Sequence, residues 1–254
     1  MKAMTKVVWL ALIGAASGIL IAYYQYLTMA PELASALMDQ LGSLGMLFVV
    51  SGLQTAVLTA VAAAIGFKLR TKLELPEAKL PDKSGILAAL AIGFASSLVI
   101  TLAEKFVFMQ YLPDAMESFS FSPLYLAAAV LYGGIIEEVL LRLGLMTVIL
   151  WLLTRSQKKQ NAAEGLEPAK RHVSDLQAWI AISVSALLFA LGHLPATAQM
   201  IGLSVPIVIR SLLLNGFAGI GFGWLYWKKG LIYAMLAHIM AHVFNQLVLM
   251  PLFL

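Results

Sequence analysis

SPLYLAAAVLYGGIIEEVLLRLGLMTVILWLLT, residues 122–154, is an apolar run of membrane-spanning character with Glu137, Glu138 and Arg142 set into its middle. A hydrocarbon core about 30 Å thick is crossed by roughly 20 apolar residues. At 1.5 Å per residue this run would make a helix of roughly 50 Å, so it must tilt, kink or project. Gly133, Gly134 and Gly144 are the expected flex points, and a break there would divide the run in two. Six further windows of similar character lie at 7–27, 43–67, 85–108, 176–195, 203–227 and 230–252. The expected fold is an all-α polytopic membrane protein of seven transmembrane helices, with eight as the alternative, built around a polar intramembrane site.

Composition points the same way. Of 254 residues 61% are hydrophobic and 12% charged, where a soluble domain carries about 25% charged residues. The first window follows Lys2 and Lys6 and ends in YYQY (23–26) without a small-residue cleavage pattern, so it reads as a retained helix and not as a signal peptide. The chain has no cysteine, which removes disulfides and thiolate metal sites. There is no internal repeat and no phosphate-binding glycine loop. The glycines of NGFAGIGFG (215–223) lie in a span and suit close helix packing, so neither a nucleotide nor a nucleic acid is an expected partner.

Charge sets the expected orientation. Of the 17 Lys and Arg, fourteen fall before the first window, between the second and third, after the fourth, and between the sixth and seventh, all on one side if seven helices alternate. The opposite side holds Lys105 with Glu32, Asp39, Glu104, Asp114 and Glu117. The positive-inside rule places the N-terminus in the cytoplasm of an integral membrane protein, in the plasma membrane if the source is prokaryotic. Residues 1–83 form an N-terminal two-helix segment ending in the basic connector KLRTKLELPEAKLPDK (68–83), and 84–254 form the core. RSQKKQNAAEGLEPAKRHVSD (155–175) is polar enough to be expected mobile.

Ionisable groups inside spans cost a few kcal/mol each and by default mark a site or pair with one another. Here they are Glu137, Glu138, Arg142, His193, Arg210, His238 and His242, with the amide of Asn245. Glu138 and Arg142 stand at i and i+4 with the acid first, the favourable order for an ion pair. Glu137, about 100° further around an α-helix, is left without an in-helix partner, as a general base requires. His238, His242 and Asn245 follow an i, i+4, i+7 spacing on one face. Counting from the basic loops puts Glu138 and His193 both about 25 Å along their helices, and His238 only about 13 Å. Arg210 either snorkels, pairs with an acid or takes part in chemistry.

EEVLLR (137–142), FALGH (189–193) and HIMAH (238–242) resemble, in order and spacing, the EExxxR, FxxxH and HxxxN/D motifs of the CaaX-protease and bacteriocin-processing (CPBP, or Abi) family of intramembrane proteases. The resemblance covers roughly residues 120–250. It implies an all-helical endopeptidase, related to the Ras-converting CaaX enzymes, that hydrolyses membrane-associated or lipidated peptides reaching it from the bilayer. By motif position Glu137 would activate water shared with His193, Glu138 and Arg142 would support the site, and His238 would stabilise the oxyanion. His242 stands where the family has Asn or Asp, so that His242 or Asn245 would have to supply the missing donor. Leu143 stands where a small residue is usual.

Glu137, His193, His238 and His242 are also an adequate oxygen and nitrogen set for zinc with one position left for water. Two other functions fit the same residues: a proton- or metal-coupled transporter using the acids and imidazoles as a relay, and a catalytically silent immunity or scaffold member of the same family.

Overall fold

The computed structural model describes residues 3–76, 82–112, 121–156 and 170–253. Lys2, Lys79, Lys158, Lys159, Asp114, Glu117 and the middle of the segment expected to be mobile lie outside the described residues. Helix is the only regular structure described, apart from one parallel bridge between Leu73 and Arg171. The helices are α1 (Ala3–Thr28), α2 (Pro31–Leu41), α3 (Leu44–Arg70), α4 (Lys83–Ala103, wound on to Tyr111), α5 (123–153), α6 (Asp175–Gly192), α7 (Leu194–Ile201), α8 (Val205–Lys228) and α9 (Leu231–Phe244, wound on to Phe253).

Local chemistry sets where they begin. A helix leaves its first N–H groups without partners, and a side-chain oxygen just before it accepts from one of them. Ser43 does so for α3 through Met46 N (3.2 Å), Asp82 for α4 through Gly85 N (2.8 Å), and Ser122 for α5 through Tyr125 N (3.1 Å). Ser174 and Gln177 form a reciprocal capping box at α6.

Among the described residues six helical runs are long and apolar enough to cross a membrane: α1, α3, α4 to Tyr111, α6 with α7, α8, and α9 to Phe253. The seventh expected span is α5, which carries the three charged residues. It is not divided at its glycines. Ala129–Glu137 and Val139–Met146 instead wind as π-helix, wider turns that recur at functional sites. A wider turn means a smaller angular step, so Glu137 and Glu138 are closer around the axis than α geometry predicts. The glycines allow close approach: a Cβ on Gly134 would collide with Ile239 of α9, and one on Gly133 would stand 2.7 Å from His242 Nε2.

The polarity of the molecule is that of a body in lipid. Leu53, Leu87, Leu187 and Leu213 are more than half exposed, while Glu138 and Arg142 are wholly enclosed. In water that distribution would be costly; in hydrocarbon the apolar surface is at no disadvantage and the polar groups have to face inward. The core lies where α4, α5, α6, α8 and α9 meet, around Leu150, Ile182, Phe222 and Ala237. Helix α1 packs on α3, and α3 on α5.

Candidate active site

Between these helices lies a cavity of about 370 Å³, and five residues expected at a site line it: Glu137, His193, His238, His242 and Asn245. Glu138 and Arg142 are not on its wall. They lie behind it, both fully buried, with Arg142 Nη1 3.2 Å from Glu138 Oε1.

The sealed pair is tied to its surroundings through part of its polar surface, while Glu138 Oε2 and Arg142 Nε are buried without a hydrogen-bond partner among the described residues. Arg142 Nη2 donates to the carbonyl of Gly219 in α8 (2.9 Å), and its guanidinium lies over the rings of Phe189 and Phe222. Glu138 Oε1 also meets His238 Nδ1 at 2.9 Å. Because a carboxylate only accepts, Nδ1 is the protonated nitrogen, and His238 Nε2 is turned toward Glu137 Oε2, 3.9 Å away. Phe222 stacks on the His238 ring at 4.5 Å between centroids, and His238 stacks on His242 at 5.0 Å. One buried carboxylate therefore fixes both the tautomer and the plane of an imidazole.

His193 is held differently. Helix α6 ends at Gly192, and α7 begins at Leu194 with Pro195 in its first turn, so His193 sits at the junction. Its Nδ1 donates to the carbonyl of Phe189 (2.9 Å), and its ring meets the edge of Phe189 at 4.6 Å. Nε2 is thereby the acceptor nitrogen. The FALGH spacing expresses this contact, since a ring four residues on folds back onto the carbonyl of its own last turn.

Asn245 is committed elsewhere: its Nδ2 donates to Thr101 Oγ1 (3.0 Å) and its Oδ1 accepts from Gln246 Nε2 (3.2 Å). His242, at the motif position of the missing donor, has its Nε2 against Gly133. Among the described residues no three His, Asp or Glu side chains are gathered to hold a metal ion. No step below runs through a metal.

Arg210 pairs with an acid. Its Nε donates to Glu104 Oε2 at 2.8 Å and its Nη2 to Glu104 Oε1, and both residues line the same cavity. Glu104 was expected among the loop charges on the outer side. The signal for it was an acid in the apolar run ITLAEKFVFM (100–109) near the C-terminal end of α4, with an unmatched arginine near the start of α8.

Helices that expose leucine, enclose an ion pair, and set a carboxylate and imidazoles on a cavity wall define a polytopic membrane protein with an acid–imidazole site. The family model for Rce1-like proteins, described as type II CAAX prenyl endopeptidase Rce1-like, matches residues 119–244, the stretch that supplies Glu137, His193 and His238. Over that stretch the chain belongs to this family of CAAX-type membrane proteases. No curated protein and no solved structure gives a significant match.

Proposed function

We propose that the protein is an intramembrane endopeptidase that hydrolyses a peptide bond in a lipidated, membrane-borne peptide, with Glu137 as the general base. The observation that carries this reading is the division of labour between adjacent acids: Glu138 is sealed with Arg142 and His238, while Glu137 faces the cavity.

A water held between Glu137 and the acceptor Nε2 of His193 gives its proton to the Glu137 carboxylate as its oxygen attacks the carbonyl carbon. The resulting oxyanion needs a donor. His238, whose Nδ1–H is committed to Glu138, offers Nε2–H only as an imidazolium, and the enclosed Glu138 carboxylate offsets that charge. One such donor contributes roughly 3 kcal/mol. The C–N bond then breaks and the amine leaves with the proton stored on Glu137, which returns to carboxylate, so protons and electrons balance.

The test is cleavage of an S-farnesylated peptide by protein in proteoliposomes. Glu137→Gln and His193→Ala are each expected to lower the rate by about 10²- to 10⁴-fold while the protein still folds. Wild-type rates in both variants would overturn the assignment. Loss of activity on exhaustive chelation, restored by zinc, would return the chemistry to a metal. Phenotypic rescue by Glu137→Gln would favour the silent scaffold.

A further inference from the structure

Arg210 has no part in the hydrolysis above, yet it lines the same cavity as Glu137. It is the only Lys or Arg on that wall among the described residues. Its pairing with Glu104 is one-edged: Nε and Nη2 face the carboxylate, while Nη1 has no hydrogen-bond partner among the described residues and is not enclosed. The side chain keeps 24% exposure, against none for Arg142. A guanidinium presents two edges, each of which can take a carboxylate in parallel hydrogen bonds. Glu104 occupies one edge and neutralises the charge within the membrane; the other edge keeps Nη1 unbonded on a residue of the cavity wall.

We propose that Arg210 is the specificity determinant that binds the free C-terminal carboxylate of the peptide, so that the site cuts at a set distance from a chain end. This rests on the endopeptidase reading. Two observations favour a carboxylate at this place. Apart from His238 beside the reacting carboxylate, the charged groups on the wall, Glu104 and Glu137, are negative, so an anion away from the reacting centre finds attraction at Arg210. Spacing agrees as well. Arg210 precedes by nine positions Gly219, the residue that anchors Arg142 behind the acid site. That separation is about 13 Å along α8, which an extended peptide covers in roughly four residues. A carboxylate on Arg210 thus lies about three to four residues from a bond at Glu137.

The experiment measures binding and cleavage side by side for a fluorescent S-farnesylated peptide with a free C-terminal carboxylate and for its carboxamide. Detergent-solubilised wild type is compared with a Glu104→Gln/Arg210→Gln double variant, which strands neither charge. Wild type is expected to bind the acid tenfold to a hundredfold more tightly than the amide, on the order of one carboxylate–guanidinium contact. The double variant should bind both at the affinity wild type shows for the amide. Equal binding by wild type, or a preference that survives in the double variant, overturns the proposal. If the double variant does not fold, Arg210→Lys keeps the charge and loses the fork, and an unchanged preference there overturns it equally. A preference for the acid without cleavage of either peptide supports the role of Arg210 and sinks the endopeptidase reading.

Discussion

Glu138 and Arg142 form a closed unit, and a double-mutant cycle tests this. Both side chains are fully buried, 3.2 Å apart. Removing one partner leaves an uncompensated charge in a low-dielectric interior, at a cost of about 3–5 kcal/mol. Glu138→Gln and Arg142→Met are each expected to cost that much, so independent effects would total roughly 6–10 kcal/mol. The double variant has no stranded charge. It retains one loss, the bond from Arg142 Nη2 to Gly219 O (2.9 Å), and an unpaired buried carbonyl costs about 1–3 kcal/mol. The double variant should therefore recover at least half of the summed destabilisation. Reversible unfolding in mixed micelles of mild detergent and SDS gives the four free energies. Activity should not recover with stability, because His238 has lost the carboxylate that holds its ring: cleavage in the double variant should stay on the order of 10²-fold below wild type. Additive stability losses would show that the pair is not a unit. A double variant of full activity would remove Glu138 from any part in orienting His238.

Two further outcomes are expected. Asp82, at the membrane edge, accepts from Gly85 N and then from Tyr233 Oη (each 2.8 Å), and these bonds hold its carboxyl below the ordinary value of 3.8. A lowered folded-state pKa stabilises the fold above the unfolded-state value and loses that contribution as pH falls through the folded one, so wild type should unfold at a higher temperature than Asp82→Asn at pH 7. Below 3.8 the gap should narrow, and a gap independent of pH would refute the role of the charge. For orientation, the cysteine-free chain suits single-cysteine labelling in intact cells: Thr71→Cys should resist a membrane-impermeant maleimide that labels Tyr111→Cys, and the reverse pattern would overturn a cytoplasmic N-terminus.

What the sequence makes legible here is what one helix decides by itself. The i, i+4 spacing of Glu138 and Arg142 prescribes their ion pair, and the Phe189 to His193 spacing prescribes a ring folded back on its own turn. The π turns of α5 were not legible, because what packs against them is remote: Gly133 meets His242 and Gly134 meets Ile239, about a hundred positions later. Depth counted from loop charges set His238 well short of Glu138, yet Nδ1 and Oε1 are 2.9 Å apart. Such counting presumes that every helix leaves the bilayer at its last charged residue. Asn245 shows the same limit, since its partner Thr101 lies on a helix that no spacing along α9 could name.

The two intramembrane ion pairs differ in one physical respect, and it assigns them different work. Glu138–Arg142 has no exposed surface, and its guanidinium is bounded by a carbonyl and two aromatic faces. Nothing from outside reaches it without first breaking it, so it serves to hold His238. Glu104–Arg210 keeps 12% and 24% exposure and leaves Nη1 without a hydrogen-bond partner among the described residues. A charge kept in a membrane at the cost of its hydration is retained either because it is closed into the structure or because it meets a ligand. Arg142 is wholly buried with its acid, whereas Arg210 keeps exposed surface beside its own. An arginine half-satisfied by its own fold and open to a cavity beside a hydrolytic carboxylate has the chemistry to take hold of a peptide's end.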